Sequence, residues 1–304
     1  MPEINEIRKY SDFIKNKIQN EKIIDIKILK GRYKEKGPFA MYDDIKNKLP
    51  LKLLDVKTKG KFLYMIFEEN FYIFSTLGLT GGWCYLKKNR KKYDFSKTEQ
   101  EWQNYTGEEI STYLKDALNH LNIEFITKKG SLFYYDKLSF GTLKVTNDIN
   151  DLIKKLNEIG PDIMEETTNF ELFKNQITKK VNLNKEIGIV IMNQKIISGI
   201  GNYLRADILY LSKINPFRKV NELNETELNL IFKNSKILTW GDYDIEKAIE
   251  LKIINKNDKL PCHYNRMFFI YNQQYDMHGN KVFKKKLYEG SQKRFIYYVP
   301  EIQK

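Results

Sequence analysis

The first residues of the chain place a candidate nucleophile beside two carboxylic acids. Pro2 follows the initial methionine, and Glu3 and Glu6 come shortly after it. Methionine is normally trimmed before a small residue such as proline, which would leave the secondary amine of Pro2 as the chain terminus. An α-amine titrates at about pH 8, so part of it is an unprotonated nucleophile at neutral pH, and Glu3 would move protons beside it. The simpler alternative is a proline in the first turn of a helix, with acidic residues that complement the helix dipole.

A second candidate site lies in the stretch MNQKIISGIGNYLRADIL, residues 192–209. The pattern predicts a helix that ends near Ile196, a tight turn at Gly199 and Gly201, and a new helix that opens at Asn202. Asn202 suits an N-cap, and a helix N-terminus with free N–H groups binds phosphate. An ordinary helical hairpin with a glycine turn explains the same spacing. The GIG is not a dinucleotide-binding fingerprint, because no strand precedes it and the third glycine is missing.

The composition narrows the class of protein and of partner. The 304 residues are 41% hydrophobic and 13% aromatic, which is typical of a folded chain, and their net charge is +13. Such a charge predicts a polyanionic partner, with nucleic acid first and an anionic membrane surface second. No apolar run approaches the length of a membrane span and no signal peptide is recognisable, so we expect a soluble intracellular protein.

The cysteine and histidine residues give no sign of a disulfide framework or a metal site. The two cysteines, Cys84 and Cys262, are far apart and in no CxxC motif, which favours a reducing compartment. His120, His263 and His278 would have to join them in a zinc site, but their spacing fits no pattern of zinc ligands.

The hydrophobic pattern divides the chain into three stretches that would position these candidates. A helix is predicted over residues 3–20, then strands from 23 to 86, including two strands joined by the turn EEN and a later hairpin with KKG as its turn. The polar segment 87–100 is predicted to be a solvated loop, with a DNA-facing role as the alternative. From about residue 147 to 253 the spacing is helical, with a start signal at Asn224, and strand-like text returns beyond Pro261.

Five motifs, in order along the chain, resemble the formamidopyrimidine-DNA glycosylase/endonuclease VIII family. MPEINE resembles the family's N-terminal signature, with Asn5 where a second proline is common. KGKFLYMIF resembles the strand that carries a DNA-binding lysine, here Lys61, and TLGLTGGW resembles the glycine loop that carries an intercalating residue, here Leu79. IGPD at 159–162 resembles the segment that leads into the helical domain, and GIGNYLRADIL resembles the family's helix–two-turn–helix motif.

The resemblance implies an α+β fold with three parts. Residues 1–147 would form the N-terminal catalytic β-sandwich domain with flanking helices, and residues 148–260 the helical, DNA-binding helix–two-turn–helix domain. Residues 261–304 would form a β-hairpin finger.

The finger is expected to lack the zinc ion that the family usually carries there. Aligned on the family, Tyr275, His278, Val299 and Ile302 occupy the places of the four zinc-binding cysteines, and none of them supplies a thiolate. Arg294 falls where the family's finger grips phosphate. Cross-strand packing would have to support this zincless hairpin, by Phe269, Tyr271, Val282, Phe283, Ile296 and Tyr298.

The activity that the resemblance implies is excision of oxidised bases from DNA, followed by cleavage at the abasic site. The Pro2 amine would attack C1′ and form a Schiff base, Glu3 would assist proton transfer, and Lys61 would act in the same site. β-Elimination and then δ-elimination would follow, without a metal or organic cofactor. Glu6 would support the N-terminal turn.

The remaining implied residues bind DNA, as a monomer on single or double strands. Lys61, Asn202 with Gly201, and Arg294 would hold phosphates around a nucleotide turned out of the stack. A non-catalytic damaged-DNA-binding protein on the same scaffold is the alternative. A membrane-surface protein would use the same charge, but it does not explain the glycine-turn motifs.

The residues that would fill the gap left by the turned-out base depart from the family in one place. Leu79 and Phe140 supply two wedges, the latter in DKLSFG at 136–141. Leu138 stands where the family has an arginine that hydrogen-bonds the orphaned partner base, and leucine offers no donor. We therefore expect appreciable activity on single-stranded lesions and weak discrimination of the opposite base, unless Lys137 or a water supplies the donor.

Overall fold

The structure is a computed structural model that describes residues 2–88, 117–254, 256, 268–289 and 292–304. Most of the polar segment 87–100, from position 89 onward, lies outside these ranges, as do Cys262 and His263. The described chain forms two compact units, Pro2 with Glu6–Lys155 and Glu3–Asn5 with Leu156–Lys304. None of the described helices is long and apolar enough to span a membrane.

The first part of the chain is rich in strands. In order it contains α1 (Ile4–Ile18), β1 (Lys22–Ile23), β2 (Asp25–Ile28), α2 (Arg32–Glu35), α3 (Tyr42–Lys48), β3 (Leu51–Lys59), β4 (Phe62–Phe67), β5 (Tyr72–Thr76), β6 (Gly81–Lys87), β7 (Leu121–Ile126), β8 (Gly130–Asp136), β9 (Thr142–Thr146) and α4 (Ile149–Glu158). The predicted helix at the N-terminus and both predicted hairpins, β4–β5 and β7–β8, are confirmed.

These strands form two antiparallel sheets that pack as a sandwich. One sheet has the order β1-β3-β4-β5-β9 and the other β2-β7-β8-β6. A single buried cluster contains residues of both sheets, such as Met65 and Phe125, together with Ile7 and Ile14 from one face of α1. Apolar side chains at alternating strand positions and at helical spacing on α1 therefore build one core.

Two short helices, α2 and α3, interrupt the stretch that the pattern assigned to strands alone. Helix α3 has Asp43 and Asp44 in its first turn and Lys46 and Lys48 in its last, and it buries only Ile45. This charge order complements the helix dipole at both ends. The strand prediction over residues 23–86 was wrong in this segment, because strand-like runs surround a stretch whose helix signal is electrostatic.

The second part of the chain is helical and ends in a hairpin. It contains α5 (Phe170–Ile177), α6 (Ile187–Val190), α7 (Asn202–Leu211), α8 (Glu225–Tyr243), α9 (Ile245–Glu250), β10 (Phe283–Glu289) and β11 (Gln292–Tyr298). The start signal at Asn224 is confirmed: Asn224 Oδ1 accepts the N–H of Glu227, and Glu227 Oε2 accepts the N–H of Asn224, both at 2.9 Å. Helix α7 is buried from Leu204 to Tyr210 and forms the centre of this unit's core.

The hairpin finger is shorter than the strand-like text suggested. Strands β10 and β11 pair antiparallel from Phe283–Tyr298 onward, but Phe269 and Tyr271 lie in turns and not in strands. The carboxylate of Asp207 on α7 accepts the backbone N–H groups of Phe269 and Tyr271, at 3.1 and 3.3 Å, so these donors are not available to a strand ladder. The two aromatic side chains pack near α7 and β11 instead of across the hairpin.

Candidate active site and nucleic-acid interface

The Glu3 carboxylate lies at the N-terminus of helix α7, where it is 1% exposed. Its Oε2 accepts the N–H of Gly201 at 2.6 Å and that of Leu204 at 3.3 Å, and its Oε1 accepts the N–H of Tyr203 at 3.0 Å. These are donors that a helix leaves without intrahelical partners, and the positive end of the helix dipole faces the same group. The acid beside Pro2 is thus held by the helix–two-turn–helix segment.

The spacing predicted Asn202 as the N-cap of this helix, and that prediction is wrong. Gly201 occupies the N-cap position and Asn202 is the first helical residue. An N-cap side chain normally accepts an N–H from the second or third helical residue. Here Glu3 performs that task for Tyr203 and Leu204 from far away in the sequence. The N–H groups expected to bind phosphate are therefore bonded to Glu3.

Asn202 offers its side chain in a defined orientation instead. Its Oδ1 accepts a hydrogen bond from Nη2 of Arg205. The amide nitrogen, Nδ2, is then the atom that Asn202 presents to an acceptor such as a phosphate oxygen. The side chain of Asn202 is half-buried, which leaves it accessible.

Asn5, two residues after Glu3, further fixes the N-terminal segment. Asn5 stands where the family commonly has proline, and it is 1% exposed. The Tyr203 hydroxyl donates to Asn5 Oδ1 at 2.7 Å, and Asn5 Nδ2 donates to Asp242. The Ile4 N–H donates to the carbonyl of Gly199 at 3.3 Å. This departure from the family adds hydrogen bonds that a proline could not form.

The glycine turn before α7 is closed by one glutamine side chain. Gln194 Oε1 accepts the N–H of Gly199 at 2.9 Å, and its Nε2 donates to the carbonyl of Ile200 at 2.7 Å. Gly199 has a φ of +110°, and a Cβ there would lie 2.4 Å from Cδ1 of Ile4. A side chain at position 199 is therefore excluded both by conformation and by space.

The prediction of a helix that ends near Ile196 is wrong, because α6 already ends at Val190. Turns follow, and the side chain of Asn193 accepts the N–H of Lys195 at 3.0 Å. An asparagine that bonds its own backbone two residues onward offers the chain an alternative to helical hydrogen bonds.

Arg205 connects the Asn202 side chain to the strand that carries Arg294. Its guanidinium is 1% exposed and donates to the carbonyl of Gly188 at 2.9 Å, to the carbonyl of Phe295 at 3.2 Å and to Asn202. Arg294 precedes Phe295 on β11 and is half-buried. Sequence analysis missed Arg205, although an arginine among the apolar residues of a helix was a visible signal.

Asp207 is a second buried charge on α7 that sequence analysis missed. Besides the two N–H groups described above, it accepts the N–H of Ile270 at 3.0 Å, and it is 2% exposed. Burial raises the pKa of this carboxyl to about 7, against the opposing effect of its three backbone donors. Asp207 thereby ties the segment before the hairpin to the helix that bears Asn202.

The hairpin positions aligned with zinc ligands do not fit a metal. Tyr275 is exposed, Val299 is fully buried, Ile302 packs on the apolar core, and His278 lies in a turn. No group of three metal-binding side chains occurs in the described ranges. Asp276 organises the turn instead.

The Asp276 carboxylate accepts the N–H groups of His278 and Asn280, at 2.9 and 2.8 Å, and the hydroxyl of Tyr210, at 3.0 Å. One carboxylate thus fastens the turn both to itself and to α7.

The other predicted site residues lie in the strand-rich unit. Pro2 is half-buried and precedes α1, which begins at Ile4. Glu6 is half-buried in the first turn of α1. Lys61 is half-buried and lies in the connection between β3 and β4, directly before the strand on which the motif had placed it.

Leu79 and Phe140 lie on two adjoining loops of the sandwich and are 39% and 60% exposed. A Cβ at Gly78 would meet the carbonyl carbon of Phe140 at 2.7 Å, which shows how closely the loops approach. The structure thus brings together Glu3 and the start of α7 in one unit, and the two predicted wedges in the other.

Two family models match this chain, and known proteins are similar to it over most of its length. The family model described as the formamidopyrimidine-DNA glycosylase N-terminal domain matches residues 1–143, and the model of that protein's H2TH domain matches residues 159–252. The formamidopyrimidine-DNA glycosylase of Mycoplasma genitalium is 27% identical over 255 residues, which are 83% of this chain and 76% of the relative. That of Mycoplasma pneumoniae is 26% identical over 83% of this chain and 79% of the relative.

Solved structures agree with the predicted fold. Lactococcus lactis Fpg in complex with DNA that contains an abasic site has a TM-score of 0.72 at 20% identity, over 99% of both chains. The same protein in complex with DNA that contains an oxidised pyrimidine has a TM-score of 0.71 at 20% identity, again over 99% of both chains. The α+β fold, with a β-rich N-terminal part followed by a helical H2TH part, is confirmed.

Proposed function

The chain belongs to the formamidopyrimidine-DNA glycosylase/endonuclease VIII family, and from that premise we propose that it is a base excision repair enzyme. It removes oxidised bases from DNA as a glycosylase and then cleaves the strand at the abasic site as a lyase. Its partner is DNA, which agrees with a net charge of +13 and with the abasic and oxidised-base DNA bound by the Lactococcus lactis relatives.

The observation that carries this proposal is the docking of Glu3 on the start of α7. Three backbone N–H groups at the start of α7 hold the Glu3 carboxylate, which fixes Glu3 at the helix–two-turn–helix motif. Pro2 is the residue that directly precedes Glu3 in the chain. A nucleophile must be positioned relative to its substrate to be effective. The motif that carries Asn202, the proposed phosphate-binding residue, therefore also holds Glu3, the residue next to the proposed nucleophile Pro2.

DNA is held by its phosphates and opened at the lesion. Lys61, Asn202 and Arg294 donate to phosphate oxygens, which fix register without reading sequence. The damaged nucleotide leaves the stack, because its C1′ is out of reach inside a duplex. Leu79 and Phe140 enter the gap that it leaves.

The chemistry uses the terminal amine of Pro2 after removal of the methionine. The amine lone pair forms a bond to C1′ while the glycosidic bond breaks, and the base departs with a proton. Glu3 assists proton transfer at the sugar, since it directly follows Pro2 in the chain and a positioned carboxyl group can accept or give up a proton during a reaction. The C1′–O4′ bond of the sugar then breaks, and O4′ takes up a proton from solvent through Glu3. C1′ is now joined to the Pro2 nitrogen as an iminium ion, whose positive charge acidifies the C2′ proton.

Two eliminations complete the reaction. Loss of the C2′ proton expels the 3′ phosphate, and a second elimination expels the 5′ phosphate, which leaves phosphates at both ends of the gap. Water then hydrolyses the imine and returns the amine of Pro2. These steps need no redox partner.

The test is a panel of oligonucleotides with oxidised pyrimidines, an oxidised purine or a preformed abasic site, each single- and double-stranded. The wild-type protein should cleave lesion strands and leave phosphate ends. The matched control carries one extra residue before Pro2, which turns the amine into a peptide nitrogen and changes no side chain. That variant should bind but not cleave. Specific binding by the wild type without cleavage of any substrate would refute the enzyme and favour a damaged-DNA-binding protein.

A further inference from the structure

The two loops that carry the exposed apolar side chains connect the same two sheets of the sandwich. Residues 77–80 connect β5 to β6, and residues 137–141 connect β8 to β9. Strands β5 and β9 are neighbours in one sheet, and β6 and β8 are neighbours in the other. The loops therefore run side by side between the two layers of the sandwich.

A buried carboxylate and a hydroxyl join these loops. Asp136 ends β8 and is 3% exposed, and its Oδ1 accepts the hydroxyl of Thr80 at 2.6 Å. The Thr80 hydroxyl in turn accepts the N–H of Leu138 at 3.0 Å. Asp136 Oδ2 accepts the N–H of Gly141 at 2.7 Å. Thr80 is thus bonded once to the end of β8 and once to the second loop. Asp136 Oδ1 also accepts the N–H of Leu138 at 3.3 Å, so this carboxylate is bonded near both ends of the second loop.

Each of these bonds is adjacent to an exposed apolar side chain. Thr80 follows Leu79, the N–H that it accepts belongs to Leu138, and Gly141 follows Phe140. The three apolar side chains are 39%, 46% and 60% exposed, and exposed apolar side chains that are grouped on adjoining loops are typical of an interaction site. The hydrogen bonds fix the backbone on which all three stand.

We propose that Thr80 and Asp136 are positioning residues that hold the loops of Leu79 and of Leu138 and Phe140 as one rigid wedge for an opened duplex. This inference rests on the proposed function and deepens it, because it names what prepares the wedge before DNA arrives. Two separate loops would each have to become ordered on insertion, and that cost would weaken binding. Two loops that hydrogen bonds already hold together have incurred most of this ordering cost before DNA binds. A single strand has no opposite base and no gap to fill, so it does not need the brace.

The test compares Thr80→Val with Thr80→Ser. Valine keeps the shape of threonine but removes the hydroxyl, whereas serine keeps the hydroxyl. Loss of a hydrogen bond to a charged group predicts that Thr80→Val lowers kcat/KM on a duplex lesion by about tenfold, because the buried carboxylate loses one of its donors and the link between the two loops is lost with it. Activity of Thr80→Val on the single-stranded lesion should stay within about twofold of wild type, and Thr80→Ser should match wild type on both substrates.

A second measurement is independent of catalysis. A duplex with a tetrahydrofuran abasic analogue and 2-aminopurine in the opposite strand reports wedge insertion by fluorescence. Thr80→Val should bind this duplex more weakly and give a smaller fluorescence change, while Thr80→Ser restores both. If the wild type proves to have no glycosylase activity, the proposed function fails but this measurement still decides on the brace.

Three results would overturn the inference. The first is a Thr80→Val protein that equals wild type in duplex binding and fluorescence change. The second is an equal loss of single-strand and duplex activity, and the third is the same behaviour for Thr80→Val and Thr80→Ser. Asp136→Asn supplies a further check, since its amide nitrogen would face either the N–H of Gly141 or the Thr80 hydroxyl and the N–H of Leu138, and either orientation costs a hydrogen bond. It should show the same selective loss on duplex substrates, and a folded Asp136→Asn protein with wild-type duplex activity would also contradict the brace.

Discussion

Substitution of Glu3 by glutamine should destabilise the helical unit far more than its size suggests. Glutamine has one oxygen where glutamate has two. If that oxygen keeps the N–H groups of Gly201 and Leu204, the amide nitrogen faces the N–H of Tyr203, and two donors then oppose each other at a site 1% exposed.

The magnitude follows from the interactions that are lost. A hydrogen bond to a charged group contributes about 1.5–3 kcal/mol, and a carboxylate at a helix N-terminus about 0.3–2 kcal/mol. Because part of the second contribution is the same electrostatic energy, we expect Glu3→Gln to lower the free energy of unfolding by roughly 2–4 kcal/mol.

Urea unfolding followed by tryptophan fluorescence measures this change, with Glu6→Gln as the control. Glu6 has the same side chain and lies three residues later, but it is half-buried and in the first turn of α1. Its substitution should cost less than about 1 kcal/mol. Equal free energies of unfolding for Glu3→Gln and wild type would refute the docking of Glu3 on α7.

Three further predictions concern charge and the opened duplex. The pKa of Asp207 is raised to about 7, so between about pH 4 and pH 7 the folded protein keeps a proton that the unfolded chain has lost. Stability should therefore fall as pH rises through that window, by up to about 1.4 kcal/mol per pH unit from this group, and Asp207→Asn should flatten the slope in urea unfolding at several pH values. Arg294→Ala should weaken binding to DNA of every sequence and lower the salt dependence by about one phosphate contact, as measured by anisotropy titrations at several salt concentrations. Leu138→Arg should supply the missing donor and sharpen discrimination among the four opposite bases in single-turnover excision, and unchanged rates would show that another group already supplies it.

Local signals made much of the fold predictable. Helix α1 has its apolar residues at helical spacing, the β7–β8 hairpin has a short glycine turn, and α8 begins with a capping box at Asn224. Each of these features is encoded within a few residues. The sequence therefore predicts them without knowledge of the rest of the chain.

Contacts between distant segments could not be predicted in the same way. The cap of α7 is Glu3, about two hundred positions earlier, so the spacing around Asn202 gave the wrong N-cap. Asp207 removes the backbone donors of residues 269–271 from any strand, which hydrophobic pattern alone does not reveal. The motif resemblance identified where chemistry was to be expected, but the hydrogen bonds of Arg205, Asp207 and Asp136 depend on tertiary packing.

The most direct test of the central claim is to trap the enzyme on DNA and find the residue that is attached. Borohydride should reduce the imine between the wild-type protein and a lesion oligonucleotide to a stable adduct, and mass spectrometry of the digested adduct should locate the sugar on the nitrogen of Pro2. The variant with an extra residue before Pro2 should give no adduct. An adduct on a lysine such as Lys61, or none with any oxidised or abasic substrate, would contradict the account.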